Sequence, residues 1–162
     1  MSAIDHSLHA NEAYAKAFVG PRPLKPRLRL AIVACMDSRL DLFGALGLAI
    51  GDAHVIRNAG GIPTDDVLRS LALSQRSLGT REIAVFHHTN CGMDNFDDEA
   101  FRAELEAETG SAPPWRVTGF TDLYADTRVS VETIRNCPWL PHRDDVRGFV
   151  FDVATAQVHE VK

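Results

Sequence analysis

The sequence has 162 residues, which is room for one domain with a sizeable hydrophobic core but not for two ordinary domains. Hydrophobic residues make up 45% of the chain and charged residues 24%, as is typical of soluble globular proteins. The net charge of −5 predicts no basic field for nucleic acid or for an anionic membrane, and no apolar run approaches the roughly 20 residues that span a bilayer. We therefore expect one domain over residues 1–162 that binds neither nucleic acid nor a membrane.

The N-terminal segment has an early acidic residue, Asp5, and lacks the apolar stretch of a signal peptide. This favours a cytoplasmic location, where thiols stay reduced. The three cysteines are an odd number and do not indicate a disulfide framework. In a reducing compartment, Cys and His residues that occur together indicate a metal or catalytic site instead.

The first predicted element is a polar helix over about Ala3–Phe18. The proline-rich segment Gly20–Arg27 follows it and is predicted to be an extended connector. Residues 1–27 would then form a helix and arm outside the main body. Such an arm could reach across a second copy of the chain, or it could be a solvated terminus.

The body alternates buried-strand patterns with amphipathic patterns. Strands are predicted at Leu28–Cys35, His54–Arg57, Glu82–His88, Val146–Val153 and Gln157–Val161. Helices are predicted at about Leu40–Leu46, Thr64–Leu78, Asp98–Thr109 and Asp122–Arg135, with Thr64 as the cap and Gly79 as the end of the second of these. The alternation predicts an α/β fold with a mainly parallel central sheet, helices on its faces and an antiparallel C-terminal strand.

Two groups of polar residues follow strands of this sheet. Cys35, Asp37 and Arg39 lie at the end of the first strand, and His88 and Cys91 lie at the end of the third. Because ligands collect beyond the carboxyl ends of parallel strands, we expect both groups at one edge of the sheet.

Thiolate and imidazole are ligands that suit tetrahedral zinc. Cys35, His88 and Cys91 would leave a fourth position open, as in a catalytic zinc site. Each residue alone has an ordinary structural explanation: a buried cysteine, a chance H-x-x-C spacing, or a weak ion pair between Asp37 and Arg39. Their combination at adjacent strand ends favours the metal site.

The motifs Cys35-Met36-Asp37-Ser38-Arg39 and His88-Thr89-Asn90-Cys91-Gly92 resemble those of the β-class carbonic anhydrases, whose pattern is C-x-D-x-R followed by H-x-x-C. The resemblance continues through VIRNAGG, DDVLRSLALSQRSLG and RGFVFDVATAQVHEV, and is closest to the short bacterial, actinobacterial form. The family commonly has Thr-Gly in the C-terminal turn, whereas Thr155 is followed here by Ala156.

This resemblance implies one Zn²⁺ per chain on Cys35, His88 and Cys91, with Asp37 and Arg39 as the catalytic pair. It implies reversible hydration of carbon dioxide to bicarbonate and a proton by attack of zinc hydroxide, in a homodimer or tetramer. Asp37 either pairs with Arg39 and orients the nucleophile, or turns inward as a fourth ligand that closes the site.

Two alternatives remain open at this point. The same ligands would serve a hydrolase of carbonyl sulfide or carbon disulfide. Alternatively, Asp37 could permanently fill the fourth position on the zinc, which would make the chain a non-catalytic structural domain. His87 is predicted to point away from the metal, because neighbouring strand residues face opposite sides. Cys137 is predicted to be a structural thiol, and the glycines of Asn58–Gly61 to allow close packing near the metal.

Overall fold

The computed structural model describes residues 1–162 and contains five strands and five α-helices. The strands are β1 Leu30–Cys35, β2 Ala53–Asn58, β3 Glu82–His88, β4 Val146–Phe151 and β5 Val158–Val161. The helices are α1 Ala3–Ala17, α2 Leu42–Leu46, α3 Asp65–Arg76, α4 Asp98–Thr109 and α5 Leu123–Arg135, and a 3-10 turn covers Ala59–Gly61. Every predicted element is present.

The strands form one sheet in the order β2-β1-β3-β4-β5. The first four strands are parallel, and β5 runs antiparallel to β4. The predicted α/β fold with an antiparallel closing strand is therefore confirmed. In this order β1 and β3 are neighbours, so the residues that follow them meet at one edge.

The two faces of the sheet carry separate hydrophobic clusters. On one face α3 and α5 pack against alternate residues of β1 and β3, and the cluster includes Leu71, Val85 and Ile134. On the other face, the short helix α2 and loops cover a second cluster, which includes Ile32 and Phe86. The second face is less completely covered, and Ala84 and Phe149 on it are only partly buried.

Helix α3 differs from its prediction at both ends. Thr64 occupies the cap position, but its side chain accepts no capping hydrogen bond. Asp65 and Asp66 in the first turn remain well placed against the positive end of the helix dipole. The helix ends at Arg76 and not near Leu78, and Gly79, with φ +82°, lies in the turn that leads into β3.

Helix α1 stands apart from the body of its own chain. Ser2 and Asp5 form a reciprocal capping box at its start, yet none of its residues is buried. Four large apolar side chains are exposed, and their spacing places them along one side of the helix: Ile4, Leu8, Tyr14 and Phe18. None of the helices combines the length and apolar character that a bilayer crossing requires.

The turn between β4 and β5 contains a strained residue. Ala156 has φ +59°, in the left-handed region that glycine adopts readily and alanine does not. Its N–H donates to the carbonyl oxygen of Asp152 at 2.8 Å, which closes the turn. The turn therefore keeps a glycine-type conformation although it has an alanine.

We predict that Ala156→Gly raises the free energy of unfolding by about 0.5–1 kcal/mol. Relief of the left-handed strain, about 1–2 kcal/mol, exceeds the added entropy of the unfolded chain, about 0.4–1 kcal/mol. Urea denaturation at a fixed protein concentration measures the change. Ala154→Gly is the matched control: Ala154 has no positive φ, so the same substitution there should lower stability. A variant Ala156→Gly that is no more stable than the parent would contradict the strain argument.

Candidate metal centre

The candidate metal ligands are Cys35, His88 and Cys91, at the carboxyl ends of two neighbouring strands and in the loop after the second of them. Cys35 is the last residue of β1, and His88 is the last residue of β3. All three side chains are buried, and the Sγ atoms of Cys35 and Cys91 lie 4.0 Å apart. The two sulfurs and a ring nitrogen of His88 all lie within 4.8 Å of one another. The structure thus brings together the three residues that the sequence indicated.

The imidazole of His88 is oriented by its own loop. Its Nδ1 lies 2.9 Å from the carbonyl oxygen of Thr89, and a carbonyl can only accept, so Nδ1 carries the proton. Its Nε2 is buried and has no hydrogen-bond partner. A buried nitrogen lone pair without a donor is unusual in a protein interior, and it is the atom that a metal ligand would offer.

The two thiol groups lie close enough to interact directly. A hydrogen bond from Cys91 lowers the pKa of Cys35 against the opposing effect of burial, and the same interaction with Cys35, together with burial, raises the pKa of Cys91. Two thiolates at this distance would repel each other unless a cation lay between them. A tetrahedral zinc with bonds of about 2.3 Å to sulfur holds two sulfurs about 3.8 Å apart, close to the spacing found here. The donor set and its geometry fit zinc.

Asp37 is held firmly by Arg39. The Arg39 guanidinium donates to Oδ1 at 2.9 Å and to Oδ2 at 2.6 Å, and the Arg39 backbone N–H also donates to Oδ1. These hydrogen bonds place the pKa of Asp37 well below its usual range. Oδ2 lies 3.9 Å from Nε2 of His88, so the carboxylate borders the ligand cluster while it is paired with the arginine.

Arg39 also joins the two loops. Its guanidinium donates to the carbonyl oxygen of Asn90 at 2.8 Å, between His88 and Cys91. Asn90 has φ +51°, a left-handed conformation that asparagine tolerates better than most residues. One side chain therefore fixes the carboxylate of the first loop to the backbone of the second.

Arg57 braces the first loop, and sequence reasoning did not identify it. From the end of β2 its guanidinium donates to the carbonyl oxygens of Cys35 at 2.8 Å, Asp37 at 2.5 Å and Leu40 at 3.4 Å. These partners are backbone atoms, which leave no trace in residue types. The only available indication was an arginine at the end of an apolar strand. Arg57 acts on the site through the loop and is a positioning residue.

Gly61 allows the close packing that was predicted for its segment. It has φ +70°, and a Cβ at this position would lie 2.7 Å from the backbone nitrogen of Cys35. Any larger residue would displace the strand end that carries the ligand. The segment is thus a packing surface behind Cys35.

The other conspicuous residues lie away from the ligand cluster. His87 is buried on the α5 side of the sheet, with Nδ1 3.1 Å from Oδ2 of Asp126 and Nε2 3.3 Å from Oγ of Ser130. The prediction that it faces away from His88 is confirmed. Cys137 is buried in the cluster beneath α3 and α5, as expected for a structural thiol.

Comparisons with known proteins agree with this geometry. The family model described as carbonic anhydrase matches residues 30–115. The β-carbonic anhydrase 1 of Mycobacterium tuberculosis is 50% identical over 161 residues, which cover 99% of both chains. A carbon disulfide hydrolase of Acidithiobacillus thiooxidans is 35% identical, over 80% of this chain and 75% of its own.

The fold comparison points the same way. The crystal structure of a carbonic anhydrase from Streptococcus mutans superposes with a TM-score of 0.93 at 43% identity and covers 100% of this chain and 99% of its own. Together with the family model and the relative of equal length, this superposition shows that the chain belongs to the β-class carbonic anhydrases.

Proposed function

We propose that the chain hydrates carbon dioxide reversibly to bicarbonate and a proton, with one Zn²⁺ held by Cys35, His88 and Cys91. The observation that carries the proposal is the convergence of three buried ligand atoms beside a carboxylate paired with arginine. Zinc bound there supplies the Lewis acidity that lets water ionise near neutral pH and act as a nucleophile.

Asp37 and Arg39 are the proposed catalytic pair. An ionised carboxylate only accepts hydrogen bonds, and the low pKa of Asp37 keeps it ionised throughout the physiological range. Bordering the ligand cluster, it can accept the hydrogen bond of an attacking water or hydroxide and orient the oxygen lone pair toward carbon dioxide. Arg39 holds the carboxylate in this position.

The pairing with Arg39 also bears on the alternative role of Asp37 as a fourth ligand. Both carboxylate oxygens accept from Arg39, so the carboxylate would have to lose these hydrogen bonds before it could bind the metal. We therefore propose that the paired arrangement is the active one. The same hydrogen bonds disfavour a structural zinc site closed permanently by Asp37.

We further propose carbon dioxide, and not carbon disulfide or carbonyl sulfide, as the preferred substrate. The relatives named carbon disulfide hydrolase are 32–35% identical, against 50% for the mycobacterial carbonic anhydrase. The catalytic atoms would be the same for all three linear molecules. Preference must therefore arise from the surroundings of the site.

Stopped-flow assays on the zinc-loaded chain test the reaction. We expect carbon dioxide hydration well above background, a kcat/KM that rises from pH 6 to 9, and slower turnover of carbon disulfide. The rise is expected because the nucleophile must lose a proton, and two thiolate ligands make the metal a weaker acid than three imidazoles would.

The variant Cys35→Ser should lose both the bound zinc and the hydration rate. Cys137→Ser, a buried cysteine outside the cluster, should keep one zinc per chain. Hydration at the background rate, or faster carbon disulfide hydrolysis, would refute the assignment.

A second experiment tests Asp37. Asp37→Asn should retain one zinc per chain and lose at least about tenfold in kcat, because the amide is neutral and can donate in the wrong direction. Zinc content and hydration rate are measured on the same samples. Asp66→Asn, an exposed carboxylate that also pairs with an arginine, is the matched control and should keep the parent rate. Full activity in Asp37→Asn would exclude the orienting role.

We propose that residues 1–162 act as one domain and assemble at least as a homodimer through α1. An isolated helix of 15 residues is marginally stable in water, and α1 buries nothing in its own chain. Its exposed apolar side and the partly covered second face of the sheet offer complementary surfaces for two copies. A cytoplasmic location fits the three free cysteines, two of which must be reduced to bind metal.

Sedimentation velocity tests the arm. Ile4→Glu combined with Leu8→Glu places two charges on the apolar side of α1 and should shift the protein toward monomer. His9→Glu combined with Ala13→Glu, at the same spacing, places the same charges on the opposite side and should leave the assembly unchanged. An unaltered dimer in the first variant would argue against the arm as the interface.

A further inference from the structure

A basic cleft lies at the end of the sheet opposite the metal centre. It has a volume of about 470 Å³, and none of its nine lining residues is acidic or carries a large apolar side chain. Arg29 and Arg81 directly precede β1 and β3, the strands whose other ends carry Cys35 and His88. Lys25, Arg27 and His142 also line it.

The positive charge of this cleft is only partly neutralised. Arg27 donates to both carboxylate oxygens of Asp52, at 2.7 and 3.0 Å. Lys25, Arg29 and Arg81 form no salt bridge. Three unpaired cations thus share one cleft in a chain whose net charge is −5. Their mutual repulsion is unfavourable unless an anion lies among them.

The walls of the cleft are tied together by hydrogen bonds. The N–H of Arg81 donates to the carbonyl oxygen of Arg29 at 2.7 Å, which couples the two arginines through their backbones. The buried side-chain amide of Gln75 donates to the carbonyl oxygen of His142 and accepts from its N–H, at 2.8 and 3.0 Å. The backbone that carries the cationic side chains is therefore preorganised, which reduces part of the ordering cost of binding.

The turn at Gly79 forms part of the cleft wall. Its φ is +82°, and its backbone N–H donates no hydrogen bond within the chain. A Cβ at Gly79 would lie 3.6 Å from Cδ of Lys25, so the lysine stem crosses directly over this turn. The connector that carries the N-terminal arm thereby forms one side of the cleft.

We propose that this cleft binds a small phosphate-bearing anion, either inorganic phosphate or a compact phosphorylated metabolite. Three uncompensated cations suit an anion with two negative charges better than a monoanion such as bicarbonate. Guanidinium groups match pairs of phosphate oxygens, and the lack of large apolar walls disfavours a ligand with a nucleobase or an acyl chain. Because Lys25 and Arg27 belong to the connector, a bound anion would fasten the arm to the body. The proposal is independent of the catalytic assignment.

Titration calorimetry on the zinc-loaded full chain at low ionic strength tests the site, with inorganic phosphate and glucose 6-phosphate as separate probes. We expect saturable binding of at least one probe at one site per chain, weakened by added salt. Tighter binding of one probe identifies the source of the phosphate group. Arg29→Gln combined with Arg81→Gln should weaken binding by about tenfold or more, because two charge-assisted contacts are lost. Arg29→Lys with Arg81→Lys should restore much of it.

The matched control is Arg69→Gln, because Arg69 is exposed on α3, pairs with Asp66 and does not line the cleft. This variant should bind the probes like the parent. Three results would overturn the proposal: no saturable binding of either probe, equal loss in Arg69→Gln, or unchanged affinity in the folded double glutamine variant. The last result would place the anion outside this cleft. Far-UV circular dichroism verifies that each variant is folded.

Discussion

Parallel pairing of β1 with β3 is the constraint on which the candidate metal centre depends. The register sets Ala34 opposite Phe86, so Cys35 and His88 emerge at the same edge within about one residue of each other. Because side chains alternate along a strand, a slip of one residue would turn His88 toward α5 and bring His87 to the cysteines. Both strands are buried on both faces, and the apolar side chains of each cluster resist such a slip. The hydrophobic core therefore determines the ligand geometry.

The loops beyond these strands need further support, which two arginines provide. Arg57 binds three carbonyl oxygens of the loop after β1, and Arg39 connects that loop to the carbonyl oxygen of Asn90. Charge-assisted hydrogen bonds of this kind are stronger and more directional than neutral ones. They allow irregular backbone to hold a carboxylate beside the ligands with the precision that catalysis needs. Gly61 completes the support, because only a residue without a side chain fits against the backbone of Cys35.

Features that depend on local pattern could be predicted from the sequence, and features that depend on distant backbone could not. The strand patterns and the spacing of Cys35, His88 and Cys91 are visible in residue types, and the structure brings these residues together. Thr64 occupies the predicted cap position but its side chain makes no capping hydrogen bond, because a suitable residue type does not ensure that the bond forms. Arg57 was missed because its partners are carbonyl groups. The basic cleft was missed because Lys25, Arg29 and Arg81 are dispersed along an acidic chain and meet only in the fold.

If the proposed metal binds to the buried Nε2 of His88, folding depends on metal availability. Burying a polar atom without a partner costs about 1–3 kcal/mol, and that cost falls on the folded chain alone. An ion that binds only the folded state pairs with this atom and adds stability that grows with the logarithm of the ion concentration, about 2.7 kcal/mol at a hundredfold excess over Kd. The melting temperature of this protein would then report the free metal concentration around it. Under metal limitation, chains without metal would unfold first and be the first to reach the proteases that remove unfolded protein.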